Sequence, residues 1–463
     1  GYAVSDRKNQ ADGTLQENKG KLLHSGSQSD GAAVGASLTF DNGYIGTSYS
    51  ALNNQYGLIT EDSHINMESS RADIAGEFSE LGKVVDRIKF RLAHTDYTHS
   101  EIGADGTIAT TFNNKGIEAS IEAGHAAIGK LKGVVGYQFS NTDFSALGDE
   151  AFVPSVNSKS GAAYIYEELP IPVNENQTHK LTFGARFGHD TVDSKDSSNP
   201  DFGPGKNRDF NPNSFALGGI YNINKQWSLA SNLSHNERTP SYFELYAHGN
   251  HAGTSQFEYG NANLEIERAN GVDAQVRWKN AGNSFNISTY YTRFANYIGL
   301  FNSDLQKLNA DNELQDISNF IAVPATFKGI EGEAKFALSD SYKLVTHGDY
   351  VNAKNNNTGE YLPRISPVRL GAGLHYQQDK VSARVDVLHA FKQDNVAQNE
   401  LATDAYTNLS ASLSYQLPIK YHVEIFAKAN NLLNQEIRDS TSFLKDLAPA
   451  GERSVLIGAR ADF

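Results

Sequence analysis

The stretch Ser454-Val-Leu-Ile-Gly-Ala-Arg-Ala-Asp-Phe463, which ends the chain, decides the fold class. In an extended strand successive side chains point to opposite faces, so alternate residues share a face. One face here is apolar and the other largely polar. The apolar face carries Val455, Ile457, Ala459, Ala461 and Phe463, and the other carries Leu456, Gly458, Arg460 and Asp462. A strand of this kind suits a membrane-spanning β-barrel, with lipid outside and water or a polar plug inside.

The same alternation recurs along the whole chain, and it predicts twenty strands. We therefore expect an all-β protein, a transmembrane antiparallel β-barrel that occupies residues 1–463 as one domain. The predicted strand cores are 1–7, 32–41, 43–56, 70–79, 85–98, 108–125, 131–143, 158–169, 179–191, 213–223, 226–238, 266–279, 283–298, 326–338, 341–354, 366–377, 381–391, 405–417, 421–432 and 454–463.

The connections between these segments alternate in length. Short turns such as 41–43, 80–83 and 280–282 separate long polar loops. Outer-membrane barrels have short periplasmic turns and long external loops, so the alternation gives the chain a sidedness. Ligand contacts are expected in the long loops, predicted at 57–69, 99–107, 144–157, 192–212, 239–265, 299–325, 355–365, 392–404 and 433–453.

Composition narrows the class of protein further. Only 39% of the residues are hydrophobic, which is little for a soluble core of this size but natural for strands that are half polar. No stretch approaches 18 consecutive apolar residues, so a transmembrane helix is excluded. The net charge of −14 argues against a nucleic-acid partner, whose binders present basic patches, and it suits a cationic ligand or simply soluble loops.

Two consecutive boxes carry a family resemblance. The stretches Arg238-Thr-Pro-Ser-Tyr-Phe-Glu-Leu-Tyr246 and Gly260-Asn-Ala-Asn-Leu-Glu-Ile-Glu-Arg268 resemble the paired signature of TonB-dependent receptors. Three further landmarks follow in the family's order: Phe327-Lys-Gly-Ile-Glu-Gly-Glu333, Leu362-Pro-Arg-Ile-Ser-Pro367 and Asn430-Asn-Leu-Leu-Asn434. The resemblance implies a 22-stranded outer-membrane barrel with a plugged lumen, in a Gram-negative cell, that takes up a scarce ligand with energy delivered by the TonB complex.

The chain departs from this family pattern at its start. Twenty strands are predicted instead of 22, and Gly1-Tyr-Ala-Val-Ser-Asp-Arg7 is neither a signal peptide nor a plug. We therefore expect that the plug and the first hairpin, and with them the contact to TonB, are missing from this chain.

Within the family, the chain is most similar to zinc-uptake receptors of the ZnuD type. The matching stretches include Phe144-Ser-Ala-Leu-Gly-Asp-Glu150 and Glu244-Leu-Tyr-Ala-His-Gly-Asn-His251. Those receptors hold zinc with an Asp-His pair on the plug and with a Glu and a His from barrel loops. The resemblance implies that the barrel ligands here are Glu150 and either His248 or His251, with Zn²⁺ as transported ligand and no catalytic cofactor.

The residues themselves agree with such a site. Imidazole and carboxylate are the usual ligands of Zn²⁺, and four of them make a closed site. His248 and His251 lie in a glycine-containing stretch, which we expect to be a flexible loop that aims both rings inward. His94, Asp96 and His99 form a second candidate cluster at the end of a strand.

Other functions stay open at this stage. In haem receptors of the same superfamily an axial His occupies this same loop, where Tyr246 or Tyr259 could assist. Uptake of a metal chelate such as a siderophore is a third possibility, although no arginine cluster for an anionic chelate is evident. A passive outer-membrane channel is a further alternative, but a channel of this kind would have no need of the receptor boxes. An enzyme is not expected, because Ser234-His235 and His189-Asp190 are strand neighbours that point to opposite faces.

Overall fold

The structure is a computed structural model that describes residues 22–148, 151–174, 177–308, 314–419 and 422–462. The predicted first strand, residues 1–7, lies outside the described residues, as do Glu150 and Phe463. In chain order the elements are β1 (Ser27–Phe40), β2 (Gly43–Leu58), β3 (Ser63–Phe78), β4 (Val85–Gly103), β5 (Ile108–His125), β6 (Lys132–Gly148), β7 (Val156–Asn174), β8 (Gln177–Ser194), β9 (Asp209–Phe210), β10 (Asn213–Asn222), β11 (Trp227–Arg238), α1 (Tyr242–Tyr246), β12 (His248–His251), β13 (Gln256–Tyr259), β14 (Glu267–Asn280), β15 (Asn283–Leu308), β16 (Leu314–Ala337), β17 (Tyr342–Asn355), β18 (Arg369–Gln378), β19 (Val381–Ala390), β20 (Tyr406–Gln416), β21 (His422–Asn430) and β22 (Ser454–Asp462).

One continuous sheet contains all 22 described strands. The short strands β9, β12 and β13 belong to long connections, and the other nineteen form the wall, each antiparallel to the next. These nineteen coincide with the nineteen strands predicted after residue 7. The all-β antiparallel architecture is therefore confirmed.

The two faces of the wall differ in chemistry, as the alternation requires. Leu217, Leu233 and Leu413 point outward and are each more than half exposed. On the inner face the Nε of Arg71 lies 2.9 Å from a carboxylate oxygen of Asp73. An apolar outer belt around a charged interior is the arrangement that a bilayer stabilises and that water would not.

The final strand fits the same scheme. In β22, Val455, Ile457 and Ala459 lie opposite Ala429, Ala427 and Ile425 of β21, so apolar residues continue along one face. On the other face Gly458 lies opposite Phe426, and a Cβ on that glycine would come within 2.4 Å of the ring. A small residue is thus required where the aromatic ring crosses the strand.

The short turns are also confirmed. The turn between β14 and β15 places Ala281 at φ 45° and Gly282 at φ 84°, the two positive values that a two-residue hairpin turn requires. A segment of this kind joins strands at the short-turn end of the barrel.

The predicted loop boundaries are wrong at the opposite end. β15 has 26 residues and β16 has 24, whereas about 9–11 residues suffice to cross a bilayer. The predicted loop 299–325 is thus mostly strand, and 57–69 and 99–107 shrink to tight connections. Outside the membrane both faces of a strand meet polar surroundings, so the alternation that reveals a strand is lost.

The largest buried apolar cluster also lies at this long-loop end. It joins the loop after β6, the end of β8, the helix α1 and the upper parts of β15 and β16, through residues such as Val153, Val192, Leu245, Ile298 and Phe320. The loops thus form a packed unit that can hold side chains in fixed positions. None of the helices in the described parts of the chain has the length and apolar character needed to cross a membrane.

Candidate functional site

In the first receptor box, residues 238–246, an arginine forms ion pairs with two glutamates where the barrel wall meets the loops. Arg238, the last residue of β11, donates to Glu244 of α1 at 2.8 Å and to Glu267 of β14 at 3.2 Å. Both carboxylate side chains are almost fully buried, at 10% and 11% exposure. Ser241 and Glu244 also form a reciprocal capping box that starts α1. This box therefore fixes where the chain leaves the barrel wall and enters the candidate site.

The stretch with the two candidate histidines is a β-hairpin and not a flexible loop. In its register His248 lies opposite Tyr259, and His251 lies opposite Gln256. Residues three apart on a strand point to opposite faces, so the two rings do not converge. The expectation that both rings aim inward is therefore wrong, because pairing with β13 imposes the two-residue period of a strand.

His251 has the surroundings of a metal ligand. Its Nδ1 lies 2.8 Å from Oε1 of Glu258, whose side chain is 3% exposed, and the hydroxyl of Thr254 donates to the same oxygen at 2.7 Å. An ionised carboxylate only accepts hydrogen bonds, so Nδ1 is the donor in this pair, and in the neutral imidazole the lone pair then lies on Nε2. The ring also stacks on Phe152, with centroids 4.3 Å apart.

The space beside Nε2 of His251 is kept open by a glycine. A Cβ added at Gly253 would lie 3.1 Å from that nitrogen, so a larger residue there would crowd it. A carboxylate on the second ring nitrogen is also the usual support of a metal-bound histidine, because it orients the ring and raises its basicity.

His248 lies on the other face of the hairpin, among aromatic rings. Its ring centroid is 4.8 Å from that of Tyr259 and 5.9 Å from that of Phe257. Its Nε2 is 3.9 Å from a carboxylate oxygen of Asp201. Tyr246 is buried, and its hydroxyl donates to the carbonyl of Val192 at 2.7 Å. Burial raises the pKa of Tyr246 to about 12, so this phenol is not a ready oxygen ligand.

The hairpin is attached to the segment that follows Glu150. The backbone N–H of His248 donates to the carbonyl of Phe152 at 2.7 Å. A Cβ on Gly249 would come within 2.8 Å of Cα of Phe152, which shows how closely the two backbones approach. Glu150 itself lies outside the described residues, but it precedes Phe152 by only two positions.

The second candidate cluster does not assemble. His99 stacks on Phe112 and lies 2.9 Å from the hydroxyl of Tyr97, while Asp96 pairs with Lys115 at 3.0 Å. His94 and His99 differ by an odd number of positions on β4 and so point to opposite faces. Within the described residues no group of three or more His, Asp or Glu side chains is arranged to hold a metal ion.

Sequence reasoning missed Glu258 and Phe152, the two partners of His251. The alternation in Gln256-Phe-Glu-Tyr259 is a strand signal that could have placed Glu258 on the face of a paired residue. No local sequence pattern predicts the contact of Phe152 with His251, because this contact joins two separate loops.

A comparison with known families identifies the class of the protein. Residues 2–432 match the family model described as "TonB dependent receptor-like, beta-barrel", and the chain therefore belongs to the TonB-dependent receptor family. This family consists of outer-membrane receptors and transporters, not enzymes. The resemblance drawn from the receptor boxes is confirmed at this level.

Solved structures share the fold. The "Copper transporter OprC" superposes with a TM-score of 0.81 at 14% identity, over 99% of this chain and 74% of that one. The FrpB iron transporter from Neisseria meningitidis (F3-3 variant) gives 0.75 at 11%, over 99% and 74%. The ferric yersiniabactin uptake receptor FyuA from Yersinia pestis gives 0.66 at 15%, over 99% and 73%. At these identities the likeness concerns the fold alone.

Proposed function

We propose that this receptor barrel serves the TonB-energised uptake of zinc, and that His251 and Glu150 are its barrel ligands for Zn²⁺. The observation that carries the proposal is the support of His251, whose Nδ1 is held by the buried carboxylate of Glu258 while Nε2 is left open. Copper and iron transporters with the same fold support metal uptake as the general activity.

Glu150 is included because of its place in the chain. Two residues span at most about 7 Å, and Phe152 lies in ring contact with His251. The carboxylate at position 150 is supplied by the resemblance to the zinc receptors, and it lies outside the described residues. The remaining ligands of a four-coordinate zinc site would come from the plug, as in the zinc receptors that the sequence resembles.

His251 is preferred to His248 on grounds of local chemistry. The ring of His248 is surrounded by Tyr259 and Phe257, and its nearest carboxylate is 3.9 Å away. Haem is the second candidate, because a histidine beside aromatic rings suits a flat apolar ligand. Tyr246 does not support haem binding, since its hydroxyl already donates a hydrogen bond to the carbonyl of Val192.

Zinc titration of the full-length receptor by calorimetry tests the proposal. Substitution H251A should abolish high-affinity binding, and E258Q should weaken it by about 10- to 100-fold because the ring loses its orienting carboxylate. Substitution E150Q should also weaken binding. H248A is the matched control and should leave zinc affinity unchanged, since that ring lies on the opposite face. Zinc affinity should fall at low pH in the wild type, because protons compete for the imidazole.

Two outcomes would contradict the zinc proposal. One is wild-type zinc affinity in the H251A variant. The other is tight haem binding, followed by absorbance, that survives in the H248A/H251A double variant of a receptor that shows no response to zinc. A passive channel, in contrast, would admit small solutes into liposomes without any dependence on these residues.

A further inference from the structure

Two basic residues on the wall of the barrel point outward, towards the membrane. Leu233 of β11, which points outward, lies opposite Val272 of β14. Val272 lies opposite Tyr291 of β15, which in turn lies opposite Lys328 of β16. Residues opposite each other share a face of the sheet, and so do residues two apart on one strand. Lys328 therefore points outward, and so does Arg293, two positions beyond Tyr291.

A third cation completes a cluster on three adjacent strands. Thr326 of β16 lies opposite Arg293 of β15 on one side and opposite Lys354 of β17 on the other. Arg293 and Lys328 are exposed, and Nζ of Lys354 lies 4.3 Å from the ring centroid of Tyr361. Arg293, Lys328 and Lys354 are called the basic patch below. They bring three positive charges together on the outward face.

The basic patch has no carboxylate of its own. Among the residues that the structure describes, none forms an ion pair with Arg293, Lys328 or Lys354. Arg268 on the neighbouring strand β14 differs, because its Nε lies 2.9 Å from Oε1 of Glu237. Like charges on adjacent strands repel one another, and an anion bound between them relieves that repulsion. The patch therefore favours an anionic partner from outside the wall.

The position of the patch relative to the bilayer restricts which anions reach it. Near the short-turn end, the ring centroids of Trp227 and Trp278 lie 5.3 and 5.8 Å from that of Phe285, and such an aromatic cluster marks one border of the membrane. Arg293 lies eight positions beyond Phe285 on β15, which is about 26 Å along a strand. The apolar band of these barrels is about 25 Å tall, and long cationic side chains extend to the headgroups. The patch thus lies at the headgroups of the outer leaflet.

An apolar groove lies on the same outward face, below the patch. Short side chains in one row across four strands form its floor: Gly219, Ser231, Ala274 and Thr289. Ile330, opposite Thr289 and two positions from Lys328, borders the groove beneath the patch. The groove has a volume of about 650 Å³ and an almost wholly apolar surface. Cations above an apolar groove suit an amphiphile with an anionic head and hydrocarbon chains.

We propose that the basic patch and the groove together bind lipid A, the phosphorylated glycolipid of the outer leaflet. Its phosphates would contact Arg293 and Lys328, and one acyl chain would occupy the groove. A guanidinium donates two parallel hydrogen bonds to a phosphate, and a lysine adds a point charge. Lipid A carries two phosphates on one headgroup, so it spans cations on neighbouring strands, whereas a glycerophospholipid brings only one. This inference is independent of the transported ligand.

Titration of the full-length receptor in detergent with lipid A, with bound lipid measured by native mass spectrometry, tests the proposal. R293Q and K328Q should each weaken lipid A binding about fivefold, because one cation near an anionic headgroup contributes about that factor. The double variant R293Q/K328Q should lose roughly 25-fold if the two contributions add. K159Q is the matched control and should bind like the wild type, since Lys159 is an exposed cation on β7 outside the patch and the groove.

Further arms of the same titration separate the parts of the site. Monophosphoryl lipid A and phosphatidylglycerol, with one phosphate each, should bind more weakly than lipid A. A274L fills the groove and should weaken lipid A without reducing the effect of R293Q. H251A should leave lipid A binding unchanged, so failure of the zinc proposal would not affect this one. Wild-type affinity of R293Q/K328Q for lipid A, or equal affinity of the wild type for phosphatidylglycerol and lipid A, would overturn the proposal.

Discussion

Asp446 is a single residue whose titration should be visible in the loop that contains it. Burial raises the pKa of its carboxyl group, and Asp316 adds to the shift. An acid with a raised pKa in the folded state binds its proton more tightly there than in the unfolded chain. The contribution of Asp446 to the stability of the docked loop is therefore fully present below the ordinary carboxyl pKa of about 4, and it is lost as the pH rises through the raised pKa.

Hydrogen exchange of residues 439–450 as a function of pH measures this effect. After correction for intrinsic exchange, protection should decline with rising pH in the wild type. D446N, which has no proton to lose, should keep its protection over the same range. D404N, at an exposed carboxylate in a neighbouring loop, should behave like the wild type. Protection of the wild-type loop that does not change with pH would contradict the assigned burial of Asp446.

At the scale of elements, the hairpin β12–β13 depends on its close approach to Phe152. G249A places a Cβ within 2.8 Å of Cα and Cβ of Phe152, so the two backbones must move apart. Overpacking of this kind costs about 1–3 kcal/mol. Hydrogen exchange should show loss of protection across 248–259, and zinc affinity should fall because His251 loses its stacking partner. G82A is the control, since a Cβ there meets nothing closer than 3.9 Å. Unchanged exchange in G249A would rule out this docking.

The elements also show what the sequence could and could not reveal. Each wall strand after residue 7 was predictable from the sequence. Lipid on one side of a strand and a polar interior on the other require apolar and polar residues to alternate, which gives the sequence a two-residue period. The upper ends of β15 and β16 were not predictable, since that period disappears where both faces are polar. The hairpin was missed for a different reason. Its strands are four residues each, and β13 pairs in parallel with β16 through Phe257–Tyr259, a long-range contact without a local signal.

The candidate site was predictable in part for the same reasons. His251 was proposed as an alternative to His248 from its residue type and its place between the receptor boxes, and the resemblance supplied Glu150. The separation of His248 from His251 follows only from strand pairing, and Glu258 acts through a partner seven residues away. A side chain that supports a ligand carries no sequence signature of its own, because its role depends on which ring it reaches.

At the scale of the whole molecule, the bilayer should distinguish the two faces of one strand. In β20, Leu413 points outward and is 53% exposed, whereas Ser410 points inward and lies opposite Asp386. L413R places a cation in lipid and should lower the free energy of unfolding by up to about 2–4 kcal/mol, depending on the depth of residue 413 in the bilayer. S410R places the same cation in the polar interior beside a carboxylate and should cost little.

Reversible urea unfolding in lipid vesicles gives both free energies, and the same pair in detergent provides the control. The difference between L413R and S410R should shrink in detergent, since a micelle adapts to a charged side chain more easily than a bilayer. If both variants lowered the free energy of unfolding equally in vesicles, the two faces of the wall would not differ in their contact with lipid. The larger cost at Leu413 follows from the same alternation that the stretch Ser454–Phe463 displays, because every wall strand must repeat that division for the barrel to be stable in a membrane.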